Sequence, residues 1–139
     1  MHRPTARLCR SLLVIAGVLS MGSAAHEAPS APLTGEWGGS QVRLSLNEAG
    51  GRLDLACGSV HIAAPVQLNA KGAFTVEGIY EDFAGGPTPA DVPLAQTPAR
   101  VSGSVDVNRM QLSVHRHGDK TGQDFVLEHG RRVKLIRCA

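Results

Sequence analysis

The sequence is poor in aromatic side chains: one Trp, one Tyr and three Phe make up 4% of 139 residues. Ligand pockets are usually walled by aromatic and other apolar groups. Trp37, Phe74, Tyr80, Phe83 and Phe125 are too few to call for a large internal cavity. Cysteine is scarce, with three in the chain and no Cys-x-x-Cys pair, so a redox-active dithiol motif is excluded. No apolar run reaches the roughly 18–20 residues of a membrane-spanning helix. No segment after residue 25 keeps a helical period over a useful length. Gly-x-Ser-x-Gly and Ser-x-x-Lys are absent, as are a phosphate loop and a dinucleotide fingerprint. No catalytic motif and no cofactor site is therefore read. A Ser/His/Asp triad assembled from distant residues has no spacing to read.

What is present begins with an export signal. His2, Arg3, Arg7 and Arg10 form a basic start with no acidic residue. Ser11 to Gly22 is almost wholly apolar, and Ser23-Ala24-Ala25 supplies small residues at a cleavage site. The expected leader is 1–25, with Ala28 as the second cleavage position and an uncleaved anchor as the alternative. Cys9 precedes the apolar run, which argues against a lipoprotein. No Arg-Arg pair precedes that run, which argues against a twin-arginine signal. The leader holds three of the fourteen lysines and arginines and none of the twelve acids. The remainder has eleven bases against twelve acids, a net of −1, so the apparent basicity gives no case for a nucleic-acid partner. The expected location is the periplasm or the medium.

Beyond the leader two cysteines remain, Cys57 and Cys138. In an oxidising compartment an even pair reads most simply as a disulfide. It would close a loop of about 80 residues, for which chain entropy gives roughly 4–5 kcal/mol as an upper bound.

His26 to Pro32 is a Pro/Ala-rich lead, expected to be mobile. Residues 33–139 read as one domain of short strands. Apolar residues alternate at Val42, Leu44 and Leu46, then at Leu53, Leu55 and Cys57, with Asn47–Gly51 turning between them. Val60 and Ile62 form a third run. Phe74, Val76, Gly78 and Tyr80 form a fourth. A long Pro/Gly loop spans 82–97, of the kind that is either functional or disordered. Val101, Gly103, Val105 and Val107 alternate next, then Asn108-Arg109 as a two-residue turn, then Met110, Leu112 and Val114. Phe125 and Leu127 follow, His129-Gly130 turns, and Val133 and Leu135 lead to Cys138. About eight strands at this spacing predict an all-β fold: an antiparallel eight-stranded up-and-down β-barrel, with a β-sandwich as the alternative. Gly78 and Gly103 inside strands predict bulges or sharp coiling.

At Leu33-Thr34-Gly35-Glu36-Trp37 the chain resembles the opening of the lipocalin, avidin and related calycin barrels, which begin with Gly-x-Trp. The resemblance implies that Trp37 plugs one barrel end under a basic residue of the last strand, here Arg132, Lys134 or Arg137. The lead before Gly35 is similar to that of small periplasmic metalloprotease inhibitors of this superfamily. Their disulfide lies in the N-terminal half of the barrel, whereas Cys57 here has only Cys138 to pair with.

Candidate sites are few. His115 and His117 stand two apart, which on a strand puts both imidazoles on one face, as a metal requires. A third ligand would come from His61, His129 or His26. Met110, Leu112 and Val114 take the inward positions, so the two histidines point to solvent and no metal is assigned. His26 at a processed N-terminus is a further copper-chelating candidate. Glu81-Asp82 are adjacent and fall on opposite faces of a strand. The best contact surface is the 82–97 loop with Tyr80 and Phe83 beside it. The expected function is a non-enzymatic module that binds a small apolar molecule or an envelope protein. The alternatives are an inhibitor of an exported hydrolase and a small histidine-based metal protein.

Overall fold

The computed structural model describes residues 30–83, 85–87 and 89–138. The expected leader, its cleavage sites and residues 26–29 of the lead, His26 included, lie outside them. Eight antiparallel strands follow one another round a closed barrel. They are β1 (Gly35–Gly39), β2 (Val42–Asn47), β3 (Gly50–Leu55), β4 (Gly58–Ile62), β5 (Ala73–Asp82), β6 (Gln96–Asp106), β7 (Arg109–Arg116) and β8 (Gln123–His129). β8 pairs back onto β1 through Trp37↔His129, Gly38↔Glu128 and Gly39↔Leu127. The fold is thus the up-and-down barrel, and the sandwich alternative falls away.

Period-two patterning produces this closure. Val42, Leu44 and Leu46 are buried and their neighbours Arg43 and Asn47 exposed. Register carries the apolar face from strand to strand: Leu44 opposes Leu53, Leu53 opposes Val60, and Val60 opposes Tyr80. Such cross-strand pairs are the units of sheet stability. Each fully buried Leu, as at 53 and 127, contributes about 1.5–3 kcal/mol. An eight-stranded barrel is just wide enough for its own side chains to fill, and the inward aliphatics form one continuous core cluster.

Both ends are covered by chain. At the end where β1 begins, the 63–72 connection folds over and buries Val66 completely. The lead is fastened to this connection: Leu33 N donates to Val66 O at 2.7 Å, and the Ser30 hydroxyl to Leu68 O at 3.0 Å. At the other end Tyr80 is buried beneath Arg116.

Four details differ from the sequence reading. The first strand is Gly35–Gly39, so the eight strands are complete before the tail. Val133 and Leu135 belong to no strand; residues 130–138 form an extended strap outside the wall. Gly38 makes this possible, because a Cβ there would lie 2.6 Å from Val133 Cγ2. Val107 is 85% exposed and belongs to the turn with Asn108, while Arg109 opens β7. Gly78 and Gly103 mark no bulge, since the β5–β6 register runs unbroken through both. Gly103 instead makes room for the ring of its partner Phe74, whose Cζ would lie 2.8 Å from an added Cβ.

Candidate functional site: the rim beside the disulfide

The ends of β3, β5 and β7 and the starts of β4, β6 and β8 meet at one rim. Here the inward alternation of β7 continues past Val114 to Arg116. Its guanidinium carbon lies 4.7 Å from the centre of the Tyr80 ring. Arg116 Nε donates to Asp119 Oδ2 at 2.8 Å, and Nη1 donates to Asp82 Oδ1 at 2.9 Å. One cation thus ties the β7–β8 turn and the end of β5 across the barrel mouth. The hydrogen bond to Asp119 raises the Arg116 pKa, so this cation is permanent. Burial pushes the Tyr80 phenol above its ordinary value, against the opposing field of Arg116.

One residue beyond β5, Phe83 N donates to Cys57 O at 3.0 Å. The half-buried Phe83 ring is covered by Arg137, whose guanidinium carbon lies 4.1 Å from the ring centre. Cys57 sits in the β3–β4 turn and is disulfide-bonded to Cys138, with a Cα–Cα distance of 5.0 Å. Cys138 N donates to Ala56 O at 3.0 Å. From this anchored root the long loop runs out to β6 and exposes Val92 (55%) and Leu94 (40%).

Of the sequence candidates, Tyr80 is a core residue of this rim, 3% exposed, and Phe83 is its half-buried neighbour. Glu81 and Asp82 diverge: Glu81 accepts from Gln96 Nε2 at 2.8 Å, and Asp82 serves Arg116. His115 and His117 line one groove of about 440 Å³ on the outer wall of β5–β7, together with Arg100 and Glu77. Arg100 Nε bonds Glu77 Oε1 at 2.9 Å there. His61 stands on β4 in a different groove, beside Arg52, and His129 at the opposite end against Trp37. Among the described residues no three His, Cys, Asp or Glu side chains are grouped to hold a metal. Sequence reasoning missed Arg116 and Asp119, and it offered Arg137 only as a cover for Trp37, not for Phe83. Arg116 had a signal, since it is in phase with Met110, Leu112 and Val114. Arg137 had none, because its partner Phe83 is fixed only by the strap's path.

The rim thus gathers two arginine–aromatic stacks, a disulfide, and a loop that exposes Val92 and Leu94. Comparison with protein-family models, with curated proteins and with solved structures finds no match for this chain.

Proposed function

We propose that this protein is an exported, non-enzymatic binding module that holds a partner protein of the envelope on its disulfide-side rim. One observation carries the reading: the barrel interior is filled by its own aliphatic side chains, while the rim loop exposes Val92 and Leu94 from a rooted base. A filled interior favours a protein over a small apolar molecule. Exposed apolar groups beside polar rims are typical of contact surfaces. The disulfide is compatible with an oxidising, exported location, and the basic-then-apolar start of the chain supports a periplasmic or secreted one.

The test compares wild type with a Val92→Asp, Leu94→Asp double variant. Each is expressed from the full chain and cross-linked in the native envelope fraction. Wild type yields a specific adduct that the variant loses while its melting temperature holds. Equal adduct yields from both proteins overturn the reading. Loss instead on deleting residues 26–29 moves the contact to the lead and favours an inhibitor of an exported hydrolase.

A further inference from the structure

The strap 130–138 reads Gly-Arg-Arg-Val-Lys-Leu-Ile-Arg-Cys. Its four cations occur within seven residues and no carboxylate interrupts them. The strap runs from the end of β8 along the outside of β1 to the β3–β4 turn. It is held by Gly130 N to Glu36 O at 2.7 Å, Ile136 N to Gln41 Oε1 at 2.8 Å, and the disulfide. Val133 and Leu135 are half-buried, while Arg132 and Lys134 between and before them face solvent. Ile136 is 70% exposed beside Lys134 and Arg137. On β2, Arg43 opposes Gly38, the residue the strap covers, and it shares the single carboxylate of Asp54 with Arg52 of β3; both arginines are about half exposed.

The small net charge of the exported part hides a division. Residues 30–72 and 130–138 hold seven lysines and arginines against three carboxylates, Glu36, Glu48 and Asp54. Residues 73–129, the β5–β8 half, hold four against eight. One side of the barrel is therefore net positive by four and the other net negative by four.

We infer that the strap face docks on an anionic lipid bilayer. The strap runs the length of the barrel on the outside of β1, from the end of β8 to the β3–β4 turn, so its exposed cations lie along one line of the wall. Arg132 and Lys134 meet lipid phosphates and Ile136 reaches the headgroup boundary, while Arg131 stays paired with Glu128 of β8 at 3.7 Å and Arg137 stays over Phe83. No helix among the described residues is long and apolar enough to cross a membrane. Clustered basic residues beside a negative bilayer each strengthen binding about fivefold.

The test is sedimentation with vesicles of phosphatidylglycerol and phosphatidylcholine in equal parts, using protein purified after expression of the full chain. At low salt the protein pellets with these vesicles and not with pure phosphatidylcholine. Binding vanishes near 1 M salt, where the screening length is about 3 Å. Arg132→Gln with Lys134→Gln weakens it roughly 30-fold, and Lys134→Gln alone serves if the double variant melts early. The rim variant Val92→Asp, Leu94→Asp still binds vesicles, which separates this face from the partner site. Undiminished binding by the glutamine variants, equal binding to neutral vesicles, or capture by dissolved polyphosphate with none by vesicles overturns the inference.

Discussion

Cys138 is bonded to Cys57 although neither residue lies in a strand. The barrel closes elsewhere, through the β1–β8 pairs at Trp37, Gly38 and Gly39. The disulfide therefore staples the strap to the rim without supplying the wall. A Cys57→Ser, Cys138→Ser variant keeps its β-sheet circular dichroism at low temperature. It loses up to about 4–5 kcal/mol of stability, the entropy of a cross-link spanning 81 residues. Trypsin then cuts the freed strap at Arg131, Arg132, Lys134 and Arg137 before it cuts the barrel. Collapse of the sheet signal in the variant would show that closure depends on the bond.

Val107 opens the two-residue connection between Asp106 and Arg109 with φ of 52°. A β-branched side chain is a poor occupant of the left-handed region, with strain of about 1–3 kcal/mol. The side chain is 85% exposed, so it returns little packing. Glycine is the favoured first residue of tight hairpin loops with positive φ. Its added freedom in the unfolded chain costs about 0.5–1 kcal/mol. Val107→Gly is expected to raise stability by about 1 kcal/mol, seen as a higher urea midpoint with an unchanged slope. A lower midpoint would mean that the turn holds no releasable strain.

The barrel was legible because most of its strands bury one face and wet the other. Strands β2, β7 and β8 show that alternation directly. β1 does not: between Gly35 and Gly39 its only bulky inward residue is Trp37, so no period can be read. The tail misleads for the opposite reason. Val133 and Leu135 alternate with Arg132 and Lys134 as a strand would, because an extended segment lying on the outside of a wall also buries every second residue. The basic neighbour sought for Trp37 in Arg132, Lys134 or Arg137 follows the same lesson. His129, the last residue of β8, packs edge-on against the indole with ring centres 4.8 Å apart. Arg132 and Lys134 are exposed on the strap, and Arg137 covers Phe83. The rim was half legible: the loop stands out by its prolines and glycines, but the strap that locks Phe83 is a tertiary fact.

Asp54 carries the last prediction. It lies on the outer face of β3 yet is only 5% exposed, and it accepts from Arg43 Nη2 at 3.0 Å and Arg52 Nε at 2.8 Å. Arg52 also reaches Ser59 Oγ at 3.0 Å, so the carboxylate organises both side chains. Burial alone would raise its pKa. The hydrogen bonds from Arg52 and Arg43 outweigh that and hold the carboxyl below its ordinary value. In acid the unfolded chain, with an Asp pKa near about 3.9, takes up its proton first. The stabilisation is therefore complete above that pH and drains away as the pH falls towards the lower folded value. Asp54→Asn removes this contribution. It is expected to cost about 1–2 kcal/mol at neutral pH, discounted because both arginines are half exposed. It also flattens the dependence of stability on pH below about 4. Urea unfolding of wild type and variant across that range measures both effects. Parallel curves would assign the acid sensitivity to other carboxylates, while convergence of the two curves at low pH would locate it at this bridge between β2 and β3.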